Sequence, residues 1–271
     1  MIHTWSGGRL VSAVLALVLL SCANGFAGTP TWSVIGRLPT ALQGHAAVMV
    51  HTGDVLIIGG VDGAGRARAD VAILRGGTGR VDPALGSLQS ARFRSAVVAV
   101  ADAAGRTVVY VIGGYTGSTT AAISSDAVDV ITYDPARDSW RVSPSATLPV
   151  PVGDVRAVYD GAGTIIVSGG TTQQGGLPGT GPSTAATSAI TIGTGSVRRL
   201  GDHVTARSAH GAYRFLDALG VPNVLVGGGD GAPSSSELLS GSSWDGRANP
   251  PRALRRFLAD VSDISGTARA I

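Results

Sequence analysis

Arginine and histidine stand at the openings of five apolar segments of this chain. They are His45 before AAVMV, Arg92 with Arg94 before SAVVAV, Arg156 before AVY, Arg207 with His210 before GAYRF, and Arg252 with Arg255 near the C-terminal end. Guanidinium forks bind carboxylates through paired hydrogen bonds. Gathered into a ring, these residues would suit an acidic sugar, a carboxylate or an acidic peptide. Used separately, the same side chains would bond backbone carbonyls between structural units. The fold decides between the two.

Other chemistry is thin. Ser208 and His210 are too close in sequence to identify a nucleophile and its base, and no G-x-S-x-G elbow exists. The five histidines show no metal-ligand spacing such as H-x-x-x-H. Asp70, Asp126, Asp154 and Asp230 could serve acid–base chemistry, but aspartates in loops more often form turns. All 21 basic residues are arginine, which excludes a Schiff-base lysine or a phosphate-loop lysine. The net charge of +3 is scattered, with no basic run and no interleaved aromatics, so nucleic acid is a poor partner. No cofactor or metal is implied.

The elements that would position these groups repeat along the chain. An apolar run ends in a glycine pair at Gly59-Gly60, Gly113-Gly114, Gly169-Gly170 and Gly227-Gly228, and the first glycines are 54, 56 and 58 residues apart. A period near ~50 residues carrying a strand and a glycine pair is the signature of propeller blades. Each repeat reads as a strand with a polar or basic opening, a Gly/Asp-rich turn, the apolar strand with its glycine pair, then a polar loop and further strands. The second repeat is the fullest: after Gly114 it continues YTGSTTAAISSDAVDVITYDPARDSWRV, with Tyr133 and Asp134 before a turn and Trp140 on an outer strand.

This pattern resembles the kelch motif from residue 31 to about 257. The resemblance implies an all-β, kelch-type β-propeller with four recognisable blades. Residues 31–35 read as the fourth strand of a blade placed ahead of the first repeat, and 249–261 as the start of a fifth. Pairing them would close the ring, and a ring without a complete fifth copy would be left with open edges. In the resemblance Gly59, Gly60, Gly113, Gly114, Gly169, Gly170, Gly227, Gly228, Tyr133, Asp134 and Trp140 are scaffold. The copper-radical oxidases of kelch-like fold need a cysteine crosslinked to a tyrosine, and the only cysteine here is Cys22.

Residues 1–22 read as a secretory signal: Arg9, an apolar stretch from Leu10 to Leu20, then Ser21-Cys22. Leu19-Leu20-Ser21-Cys22 resembles a bacterial lipobox, which would lipidate Cys22; cleavage after Ala23 or Ala27 is the other expectation. Residues 23–30 would be a linker and 31–271 the propeller. The chain is thus expected to be exported and anchored in the cell envelope by lipid, or secreted or periplasmic without it.

The polar loops after the glycine pairs (61–70, 115–126, 171–188 and 230–236) are the long ones, and long loops on a rigid scaffold commonly bind. The leading expectation is a non-catalytic recognition module that presents this loop face to a protein or glycan. The alternatives are a carbohydrate-active enzyme resembling the kelch-type sugar mutarotases, and a truncated propeller without independent function.

Overall fold

The computed structural model describes residues 34–134, 137, 139–217 and 219–247. The signal segment with Cys22, the linker, most of the N-terminal strand, Pro135 and the partial fifth repeat with Arg252 and Arg255 lie outside the described residues. The described chain is all-β. Its first sheet holds β1 (Ala46–Met49), β2 (Val55–Ile58), β3 (Asp70–Leu74) and β4 (Val81–Ser87). The second holds β5 (Ala96–Ala101), β6 (Thr107–Ile112), β9 (Ala127–Asp134) and β10 (Ser139–Thr147), with a separate hairpin of β7 (Tyr115–Ser118) and β8 (Ala121–Ser124) inserted after β6. The third holds β11 (Arg156–Tyr159), β12 (Thr164–Ser168), β13 (Thr187–Thr191) and β14 (Val197–Arg199). The fourth holds β15 (Gly211–Leu216), β16 (Pro222–Gly227), β17 (Ser236–Ser240) and β18 (Ser243–Arg247). All four are antiparallel meanders.

The second strand of the first three repeats is a nearly continuous apolar run because both of its faces are covered. Val109 and Val111 face the first sheet, in a core with Leu56, Ile58 and Ile73 of that sheet and Trp140 of their own. Tyr110 and Ile112, one residue out of phase, face the third sheet and meet Val155, Ile165 and Val167. Ile166 then points the other way, into a core with Val224, Val226 and Trp244 of the fourth sheet. The period-2 alternation of a strand thus builds successive cores from one apolar run. The first strands of neighbouring sheets lie together in chain order, β1 with β5, β5 with β11 and β11 with β15.

The glycine pairs link these sheets. Pairing places the residue before each pair opposite the first residue of the preceding strand: Ala46 with Ile58, Ala96 with Ile112, Arg156 with Ser168, and Gly211 with Gly227. By this register the fourth pair is Gly228-Gly229, one residue beyond the pair read from sequence. Gly227 ends a strand, whereas Gly228 and Gly229 have φ of 64° and 92°. The first glycine of each pair donates its N–H within its own repeat, as from Gly113 to Ala127 O at 3.0 Å. The second donates across to the next sheet: Gly60 to Arg92 O at 2.9 Å, Gly114 to Val152 O at 2.8 Å and Gly170 to Arg207 O at 2.8 Å. A Cβ on Gly113 or Gly169 would sit 2.6 Å or 2.5 Å from these same carbonyls, so the close approach requires glycine as much as the left-handed backbone does.

Aspartates close the first hairpin of later repeats. Asp102 Oδ1 accepts from the N–H groups of Ala104 and Arg106, Asp160 Oδ1 from Ala162 and Thr164, and Asp217 Oδ1 from Leu219 and Val221. Each is an Asx turn followed by a left-handed glycine.

Candidate functional site

Each first strand is preceded by a corner of fixed form. Gln43, Phe93, Gly153 and Ser208 pair with Val61, Tyr115, Thr171 and Asp230, the residues just after the glycine pairs. The next residue turns left-handed: Gly44 at φ 63°, Arg94 at 51°, Asp154 at 49° and Ala209 at 48°. Glycine does this freely, but a non-glycine residue held there costs on the order of 1–3 kcal/mol. Cross-links between repeats hold the corners in place: Arg94 N–H donates to Gly44 O at 2.8 Å and Ala209 N–H to Asp154 O at 3.0 Å.

Two of these strained corners carry charged side chains that meet. Arg94 Nη1 lies 3.2 Å from Asp154 Oδ2 and also reaches Pro178 O at 3.5 Å. The Tyr115 hydroxyl donates to the same Asp154 oxygen at 2.9 Å. Gly153 makes this possible, because a Cβ there would run into the Tyr115 ring. Burial, and then the Asp154 charge, push the phenol well above its ordinary range, so it remains a donor. The stem of Arg94 packs over Gly44, where a Cβ would stand 3.3 Å from Arg94 Cγ. Beside Gly44 opens a cleft of about 510 Å³ lined by Leu42, Gln43, Val61, Asp62, Gly65 and Thr119.

The structure divides the arginines and histidines read from sequence. Arg92 and Arg207 are fully buried scaffold. Arg92 donates to Gly113 O, Ala127 O and the carboxylate of Asp129. Arg207 donates to Gly228 O, Ser235 O and, at 2.5 Å, Glu237 Oε1. His210 is buried with Nε2 2.9 Å from Ser168 Oγ, and Arg156 Nε donates to His210 O at 2.7 Å. His45 is exposed, and Arg94 is the half-exposed arginine at the charged corner. Arg156 thus bonds a carbonyl of the next repeat, whereas Arg92 and Arg207 bond carbonyls within their own repeats.

The chain matches no known protein family and no characterised protein.

The long loops are more structured than their composition suggests. The β7–β8 hairpin bridges three repeats: Ala67 N–H donates to Gly117 O, Thr119 N–H to Gly65 O, Ala122 N–H to Gly176 O and Ser124 N–H to Gln173 O. Gln173 in turn anchors its own loop through Gly175 O and the N–H of Gly179. Sequence reasoning missed the carboxylates that hold the buried arginines. The signal was present: Asp129 interrupts an apolar strand in AVDVIT, and Glu237 is the only glutamate. His203 was missed as well; its ring stacks on Trp244 at 4.3 Å and meets His210 edge-on at 6.0 Å. Among the described residues no three His, Cys, Asp or Glu side chains converge as metal ligands.

Proposed function

We propose that this chain is a kelch-type β-propeller acting as a non-catalytic recognition module. It is exported, anchored at the envelope through Cys22, and presents its loop face to a protein or glycan. The carrying observation is the Arg94–Asp154 pair, two charged groups that meet on strained left-handed corners. Strain of this kind gathers at functional sites. The recurrent four-stranded sheets, each tied to the next through a glycine N–H, support the propeller reading. The test is a glycan array and an envelope-extract pull-down, each run with the wild-type chain and Arg94→Ala. The expected result is a retained species that Arg94→Ala loses; equal retention would remove Arg94 from the recognition surface.

A second reading rests on the Asp154–Tyr115 contact at 2.9 Å. In an enzyme resembling the kelch-type sugar mutarotases, Asp154 would move protons while Arg94 holds the sugar. Anomerisation followed by NMR separates the two: a rate at background eliminates the enzyme.

A further inference from the structure

We infer that the Arg94–Asp154 pair recognises adjacent hydroxyls of a neutral sugar, a refinement that rests on the loop face being a recognition surface. Arg94 commits only Nη1, to Asp154 Oδ2 and Pro178 O. Among the described residues, its Nε and Nη2 donate to nothing. Among the described residues Asp154 engages only Oδ2, with Arg94 and Tyr115, and its Oδ1 accepts from none of them. The site therefore offers free donors and a free acceptor side by side, with opposite charges that cancel.

A hydroxyl both donates and accepts. One sugar hydroxyl can give its hydrogen to Asp154 Oδ1 and take an N–H from Arg94, while its neighbour on the ring takes the second N–H. A carboxylate has acceptors only. It would gain Arg94 but face the Asp154 carboxylate at short range, and like charges oppose each other there. The geometry thus turns the expected ligand away from the acidic sugars and peptides that an arginine-rich surface suggests. The nearby rings of Phe93 and Tyr115 are 2% and 0% exposed, so neither forms a stacking platform.

The test is saturation-transfer NMR on the full chain with methyl α-mannoside, methyl β-galactoside and D-glucuronate, together with the ¹⁵Nε shift of Arg94. The expected result is binding of at least one neutral glycoside, movement of the Arg94 resonance, and no tighter binding of glucuronate. Arg94→Ala abolishes the signal. Asp154→Asn weakens the neutral glycoside while improving glucuronate, a crossover that a merely structural role would not produce. Glucuronate binding about tenfold tighter than either glycoside, or no glycoside binding, overturns the inference. If no sugar binds but Arg94→Ala still loses a protein partner, the sugar assignment fails and the recognition surface stands. If Arg94→Ala changes neither, both fail.

Discussion

The N–H of Gly170 donates to the carbonyl of Arg207 at 2.8 Å, joining the third sheet to the backbone that leads into the fourth. Arg207 in turn sends its guanidinium into its own sheet, to Gly228 O, Ser235 O and Glu237. One residue therefore serves both sides of the boundary, its carbonyl facing back and its side chain facing forward. Arg92 does the same between the first and second sheets, with Gly60 behind it and Asp129 ahead.

Substituting the second glycine of a pair should separate steric from conformational cost. Gly114→Ala places a Cβ against Ser95 Oγ and 2.8 Å from Phe93 O, at φ 97°. Gly163→Ala has the same φ of 97° but open space around it. Urea unfolding should show Gly163→Ala losing about 1 kcal/mol from backbone strain and Gly114→Ala losing distinctly more. Equal losses would mean the contact relaxes.

Removing a buried arginine should cost more than removing its whole ion pair. Arg207→Met leaves Glu237, 1% exposed, without its cation, and should destabilise by about 3–5 kcal/mol. Adding Glu237→Leu should restore part of that loss. A double variant as unstable as the single one would show that the pair's other hydrogen bonds, rather than the uncompensated charge, set the cost.

Much of the fold was legible because it rests on local rules. Glycine pairs, Asp-x-x-Gly turns and Val/Ile runs each determine a conformation over a few residues, and Trp140 lies on an outer strand as its spacing suggests. The one-residue shift at Gly228-Gly229 was not legible, because GGG offers two alignments and only strand pairing selects one. The site was less readable still. Whether an arginine is scaffold or surface depends on a partner 30 or 37 residues away, as in Arg207–Glu237 and Arg92–Asp129. Asp154 looked like one loop aspartate among several until the corners brought it to Arg94.

The histidines of the fourth repeat should make stability depend on pH. His203 is buried, with neither ring nitrogen hydrogen-bonded among the described residues, and burial lowers its pKa to about 4. Glu237 Oε2 at 3.8 Å and Asp202 favour its charged form, and Arg207 opposes it. His210 is shifted down too, by burial and then by His203, Arg156 and Arg207. An unfolded histidine takes up its proton near pH 6.5. The unfolded chain thus binds more protons between about pH 6.5 and 4, and stability should be full above that window and fall through it as pH drops. For His203 the loss is on the order of 3 kcal/mol. Melting temperatures across this range check it, and His203→Phe should flatten the profile. An unchanged slope in that variant would assign the effect elsewhere.

Tyr115 should act mainly by holding Asp154. Tyr115→Phe removes one hydrogen bond to a carboxylate and should cost about 1.5–3 kcal/mol. Gly153→Ala should displace the ring as well and cost more. If Tyr115→Phe melts like the wild type, Arg94 alone orients Asp154.

The central claim is that Arg94 is the arginine available for recognition whereas Arg207 is scaffold. Arg94→Ala and Arg207→Ala should be compared side by side for thermal unfolding and for retention of whatever ligand the wild type captures. The account predicts that Arg94→Ala unfolds close to the wild type yet loses the ligand, and that Arg207→Ala unfolds at a markedly lower temperature. Ligand retained by Arg94→Ala, or a wild-type melt for Arg207→Ala, would contradict it.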